Sequence, residues 1–211
     1  MVKIIAIDGP ASVGKSTLAK KLSKKYNSPI LFSGKLYRAV AFEIIKKKVD
    51  PNNIKDILNC VSSLELNNLA SSNLYSSEVD ALSSIISARK QLRNKLIKFQ
   101  REFPKNYCNR SKFSIIEGRD IATVIFPNAD YKIFLWADAK IRAKRRYEQI
   151  VKNGKKARYK TILSEINARD KNDLTRKIAP LMPASNSVLL DTSYIDIEQA
   201  FNALKKIILE V

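Results

Sequence analysis

Gly9-Pro-Ala-Ser-Val-Gly-Lys-Ser-Thr17 reads G-x-x-x-x-G-K-[ST], the pattern of a phosphate-cradling loop, and it stands in the context such a loop requires. Before it, Lys3-Ile-Ile-Ala-Ile7 is a short apolar run of strand type. After it, Leu18, Leu22 and Tyr26 recur at four-residue spacing among lysines, as one face of a helix does. A strand, a glycine-bearing turn and a helix N-terminus together aim backbone N–H groups and a positive dipole end at one point. Gly9, Pro10, Ala11, Ser12, Val13 and Gly14 form the cradle and Thr17 closes the motif. Lys15 adds a mobile charge for β- and γ-phosphates, and the Ser16 hydroxyl is placed for Mg²⁺. The stretch reads as a nucleoside-triphosphate site.

Glycine is scarce elsewhere, with five in the chain: Gly9, Gly14, Gly34, Gly118 and Gly154. Four stand beside charged or hydroxyl residues, in the phosphate loop, in Phe32-Ser-Gly-Lys-Leu-Tyr-Arg38 and in Glu117-Gly-Arg-Asp120. The last, in Asn153-Gly154-Lys155, reads as a helix C-cap.

At 211 residues the chain can hold one sizeable core with a smaller inserted lobe. Its net charge of +19 suggests anionic partners. Lysine supplies 27 of the 39 basic residues and is spread along the whole chain, so no dedicated nucleic-acid surface is expected. The absence of histidine removes imidazole acid–base catalysis and most zinc sites. Cys60 and Cys108 lack CxxC spacing, which fits a reducing compartment without a structural metal. No run approaches the ~20 apolar residues of a membrane span. With no targeting segment before the first strand, a cytoplasmic, soluble monomer is expected.

Short, nearly unalternating apolar runs at Lys3–Ile7, Pro29–Phe32, Phe113–Glu117, Lys132–Ala137 and Val188–Asp191 predict strands covered on both faces. Helical patterns at Ser16–Tyr26, Ile141–Lys152, Thr161–Lys177 and Ile197–Leu209 separate them. Asp196 and Gln199 resemble a capping box. Alternating strands and helices predict an α/β fold: a parallel five-stranded core with ligands at the strand C-terminal ends. The rhythm breaks between about Lys35 and Pro104. That stretch reads as a helix over Leu36, Val40 and Ile44, then a turn at Asp50-Pro51 and a helix over Ile54, Leu58 and Val61. A Ser/Asn-rich segment from Asn67 to Ser77 follows, then one long helix from Val79 to Phe103. It is expected to be an inserted helical lobe that closes over a substrate.

Three further clusters offer charge and hydrogen bonds: Ser33 with Arg38, Arg119 with Asp120, and Arg169, Asp173 and Arg176 on one helical face. A second phosphorylated substrate needs guanidinium clamps for its phosphate and carboxylates for its hydroxyls. Phosphoryl transfer asks mainly for positioning and charge neutralisation, so Lys, Arg and Mg²⁺ suffice without histidine. Glu117, ending an apolar strand, is open to two readings: an acid holding a Mg²⁺-bound water, or a structural salt bridge.

Ile7-Asp-Gly-Pro-Ala-Ser-Val-Gly-Lys-Ser-Thr17, Ser33-Gly-Lys-Leu-Tyr-Arg38, Gly118-Arg-Asp-Ile121 with Thr123 and Phe126-Pro127, and Ala179-Pro-Leu-Met-Pro-Ala184 together resemble the bacterial cytidylate (CMP/dCMP) kinase family, in order from residue 3 to about 205. The resemblance implies ATP, Mg²⁺ and CMP or dCMP as ligands. It also implies a core (1–34 and 105–211), a monophosphate lobe (35–104) and a short lid near 150–160. Lys15 and Glu117 from the loop and strand reading, with Arg119 and Arg176 from the resemblance, are the catalytic candidates, and Ser16 and Glu117 are the residues expected toward the metal. Ser33, Arg38, Arg119 and Arg176 would bind the CMP phosphate; Ser84, Arg93 and Asp120 would read cytosine; Arg169 and Asp173 would hold the ribose. Arg142, Arg145, Arg146 and Arg158 look like lid-side residues closing on ATP.

Phe32 and Glu117 stand where the family has Asp, and Ala122 where it has Gly. Ala122 implies a following turn that needs no positive φ. The small hairpin before the long helix is replaced by Asn67–Ser77. A kinase for another small acceptor and a nucleotide-dependent nucleic-acid-binding protein are the alternatives. The second should show aromatic stacking positions among basic residues, and the eight Tyr and eight Phe lie mostly at core spacing.

Overall fold

The computed structural model describes residues 2–62, 69, 72–108 and 111–209. The apolar runs become five strands: β1 (Lys3–Asp8), β2 (Ile30–Phe32), β3 (Phe113–Glu117), β4 (Tyr131–Trp136) and β5 (Val188–Asp191). They form one parallel sheet in the order β2-β3-β1-β4-β5, with β1 at its centre. Ile7 lies beside Glu117 on one side and Ile133 on the other. β1 and β3 are buried over most of their length, the burial that unalternating sequence demands. The expectation of two covered faces fails at β5. Val188 and Leu189 are exposed on this edge strand, whose single neighbour is β4.

Two compact units account for the chain: residues 1–31 with 104–211, and residues 32–103. In the first, α1 (Lys15–Tyr26) and α8 (Ile197–Leu209) pack Leu18, Leu22, Leu204 and Ile208 on Ile5, Ile7, Ile115 and Ile133. The Asp196 backbone N–H donates to Gln199 Oε1 at 2.9 Å and Gln199 N–H returns to Asp196 Oδ1 at 2.8 Å, a reciprocal capping box opening α8. α6 (Ala139–Lys152) and α7 (Tyr159–Thr175) pack together over Ala143, Ile162 and Ile166. Gly154, at φ 72°, closes α6 through N–H bonds from Gly154 to Val151 and from Lys155 to Ile150, a Schellman motif.

The second unit holds α2 (Ser33–Lys47), α3 (Ile54–Ser62) and α4 (Ser77–Ile86), with α5 (Lys90–Tyr107) running on into the first unit. α2 packs against α3 and α4, with Leu36, Val40, Ile44, Ile57, Val79 and Ile86 buried. The single helix expected over Val79–Phe103 is instead two. Ser87 Oγ donates to Ser84 O at 2.7 Å and Arg93 Nη1 donates to Ser87 O at 3.3 Å, so side chains satisfy backbone groups where the helix breaks. Of the Asn67–Ser77 stretch, residues 67, 68, 70 and 71 lie outside the described residues, and Ser72–Tyr75 forms a 3₁₀ turn.

Candidate active site

The phosphate loop joins the C-terminal end of β1 to α1, and its geometry explains its glycines. Gly9 adopts φ 146°, and a Cβ there would lie 2.3 Å from the Leu135 carbonyl oxygen of β4. Gly14, at φ 101°, is the N-cap of α1. Ser12, at φ 59°, also takes a left-handed conformation. The loop's carbonyls are tied to the rest of the unit: Pro10 O accepts from Lys15 Nζ at 2.7 Å, Ala11 O from Arg142 Nη1 at 3.0 Å, and Val13 O from Thr192 Oγ1 at 3.4 Å.

Lys15 is 4% exposed and its Nζ stands 3.8 Å from Glu117 Oε1. Burial pushes its ammonium down to about 7, with the positive charge of Arg119 acting the same way and Glu117 opposing it. The exposed Ser16 donates from Oγ to Glu117 Oε2 at 2.9 Å. Glu117 therefore faces the loop's cation and the loop's hydroxyl together.

Beyond Glu117 the chain turns through Gly118, Arg119 and Asp120 into a single π-helical turn, Ile121–Ile125. Ala122 sits within that turn and is absent from the positive-φ residues described, in keeping with the sequence. Arg119 Nε donates to Asp173 Oδ2 at 3.0 Å. Asp173, on α7, also faces Arg176 Nη1 at 3.7 Å and Arg169 Nε at 4.0 Å. Burial alone would raise the Asp173 carboxyl, but the three guanidiniums outweigh it and hold the group below the usual carboxylate range. Burial would likewise lower Arg119, yet Asp173 and Glu117 keep it above the ordinary guanidinium value. Arg176 Nη2 is 3.7 Å from Asp120 Oδ1, and its Nε donates to Ala179 O at 2.6 Å. The structure thus joins two of the three sequence clusters, Arg119/Asp120 and Arg169/Asp173/Arg176, into one charged group.

The third cluster belongs to the helical unit. Ser33 opens α2 and is buried. Arg38 Nη1 donates to Leu74 O at 2.9 Å, and Nη2 pairs with Asp80. Arg93 is buried with its guanidinium 6.0 Å from the Tyr37 ring, and Ser84 is half-buried on α4. Lys35 Nζ lies 5.1 Å over the Phe32 ring.

Among the arginines grouped on the lid side, Arg158 is exposed at the start of α7 and Arg146 Nη1 donates to Gln149 Oε1 at 3.0 Å. Arg145 donates to the carbonyls of Thr192 and Ile195. Arg142 is different: it is 1% exposed and bonds Ala137 O, Ala11 O and both carboxylate oxygens of Asp170. Its guanidinium tethers α7 to the phosphate loop from inside the fold. Sequence reasoning did not single out Asp170, and nothing at a spacing of 28 residues marks the pair.

The cytidylate kinase family pattern matches residues 5–210. A cytidylate kinase of Bartonella tribocorum is 39% identical over 198 residues, 94% of this chain and 90% of that protein. One of Bartonella quintana is 41% identical over the same shares. Among solved structures, an uncharacterized protein from Eubacterium ventriosum matches over the full length of both chains with a TM-score of 0.59 at 17% identity, a likeness of fold alone.

Proposed function

The chain belongs to the cytidylate kinase family, and we propose from that premise that it transfers the γ-phosphate of ATP to CMP or dCMP, giving CDP or dCDP, through the residues described above. The observation that carries the residue-level reading is the continuous charge group from Lys15 through Glu117 and Arg119 to Asp173, Arg169 and Arg176. It sets a triphosphate loop beside guanidiniums able to clamp a second phosphate.

In this reading the loop N–H groups and Lys15 hold the β- and γ-phosphates of ATP. Lys15 leaves Pro10 O for the phosphates, whose charge restores its ammonium. Arg119 and Arg176, with Ser33 and Arg38, take the phosphate of CMP and neutralise the transferring group. Arg169 and Asp173 bind the ribose, and Arg145, Arg146 and Arg158 serve the ATP side, next to a short lid near 150–160. The Ser16 hydroxyl and Glu117 carboxylate are hard oxygen donors beside the phosphate cradle, a set that fits Mg²⁺ shared with nucleotide phosphates. Ser16 would hold the ion directly and Glu117 through water, and the ion would supply charge neutralisation for the transferring phosphate.

Glu117→Gln is expected to cut kcat steeply and weaken its dependence on Mg²⁺, whereas Glu117→Asp is mild because the charge remains. Equal stability losses in both variants, with turnover per folded molecule unchanged, would establish the salt-bridge role instead.

Base choice follows from hydrogen-bond pattern. Cytosine presents an N4 amino donor with N3 and O2 acceptors; uracil presents an O4 acceptor and an N3–H donor. Asp120 satisfies the amino group and Arg93 the acceptors. Uracil leaves those groups unpaired at ~1–3 kcal/mol each. An ADP-release assay over CMP, dCMP, UMP, AMP and GMP is expected to show CMP and dCMP ahead of UMP by ~10-fold or more. Asp120→Ala should lower kcat/KM for CMP more than for UMP, while Arg119→Ala depresses both about equally. Equal losses for both nucleotides on Asp120→Ala would remove that aspartate from base reading.

A further inference from the structure

Asp8 ends β1 directly before the phosphate loop and is 2% exposed. Its carboxylate has no salt-bridge partner among the described ion pairs. Both oxygens are instead spent on the backbone of a distant turn: Oδ1 accepts from the Ile121 N–H at 2.9 Å and Oδ2 from the Ala122 N–H at 2.7 Å. These are the first donors of the π-helical turn, the groups that a helical start leaves without internal partners. The turn's later donors are met from within, Val124 and Ile125 by Asp120 O and Phe126 by Ile121 O.

Asp120 occupies the N-cap position of that turn, where an aspartate ordinarily bonds the first free N–H groups with its own side chain. It makes no such cap bond here. Asp8, reaching in from another strand, does the capping, and the Asp120 carboxylate faces Arg176 instead. A second link runs in parallel, from the Gly118 N–H to Ile7 O at 3.0 Å. The chain carrying Arg119 and Asp120 is therefore pinned on both sides of those residues to the two positions that end β1.

We propose that Asp8 is a positioning residue for the acceptor side of the site, holding the Gly118–Ala122 turn, and with it Arg119 and Asp120, in register with the phosphate loop. The proposal rests on the functional reading above. Burial opposes the arrangement, raising the Asp8 carboxyl to about 7 against the two backbone bonds that lower it. A carboxylate that merely filled space would have no need of such a site. Asn keeps the shape and one acceptor of Asp but sets an amide N–H₂ against one of the two backbone donors.

Asp8→Asn in the full chain should raise KM for CMP and lower kcat, each by roughly 10-fold, since small misplacements of binding groups cost that much or more. KM for ATP should stay within about twofold, because the loop keeps its own ties to Lys15, Arg142 and Thr192. A rise in KM for ATP equal to that for CMP, or a stability loss with both KM values and kcat unchanged per folded molecule, would overturn the proposal. Amide exchange needs no assay of activity and no folded variant. Ile121 and Ala122 should be protected in the wild-type protein, and rapid exchange there would also overturn it. If the wild-type chain failed to phosphorylate CMP while those two amides were protected, and that protection fell selectively in a folded Asp8→Asn, the substrate assignment would fall and the capping role would stand.

Discussion

Lys15→Met is expected to lower kcat by at least ~10²–10³, the range for deleting one preorganised electrostatic stabiliser. Lys15 is buried, held by the Pro10 carbonyl and faced by Glu117 at 3.8 Å, so its stem is already positioned before nucleotide arrives. Methionine reproduces the stem and deletes the charge, which separates electrostatics from packing. Burial lowers the ammonium to about 7 in the free protein, and bound triphosphate favours its charged form. ATP binding at pH 8 should therefore take up a proton in the wild type and not in Lys15→Met. Calorimetry in buffers of differing ionisation enthalpy reads that uptake directly. Near-normal turnover in a folded Lys15→Met protein would sink the mechanism.

Asp173→Ala should be the most destabilising single change in the site. One carboxylate serves Arg119, Arg169 and Arg176, and its removal leaves three guanidiniums crowded without it. Breaking a buried pair by deleting one partner costs ~3–5 kcal/mol, and here more than one pair is broken. For a chain of this size that corresponds to a melting temperature lower by roughly 10 °C or more. Because the folded carboxyl titrates below its ordinary value, its stabilisation is present above the unfolded pKa and lost as pH falls through the folded one. The gap between wild type and Asp173→Ala should thus be widest near neutrality and close in acid below the unfolded carboxylate's pKa. A melting temperature within about 2 °C of wild type would show that the arginines find other counter-charges.

Much of this fold is legible in the amino-acid sequence. The five strand runs lie within a residue or two of β1–β5; for β1 and β3 the reason is that parallel strands buried on both faces need uninterrupted apolar sequence, whereas β5 carries the same pattern with Val188 and Leu189 exposed. Gly154 and the Asp196/Gln199 pair are legible as caps because capping is a matter of a few adjacent backbone groups. The break between α4 and α5 is not. Apolar spacing runs straight through it, and the hydrogen bonds that end one helix and begin the next come from Ser87 and Arg93, residues unremarkable in sequence.

What the sequence determined alone was local: the phosphate loop between a strand and a helix, the parallel sheet, the inserted helices, and the order of motifs shared with cytidylate kinases. Periods of 2 and 3.6 residues and short motifs record what neighbouring backbone groups require. Only the tertiary structure decided which charges meet. Asp8 caps a turn 113 residues away, Arg142 joins Ala11 to Asp170, and Asp173 gathers arginines from a loop and from its own helix. Such pairings have no period, because a buried carboxylate is stabilised by whatever donors and cations the packed sheet and helices bring within about 3–4 Å of it, wherever those groups stand along the chain.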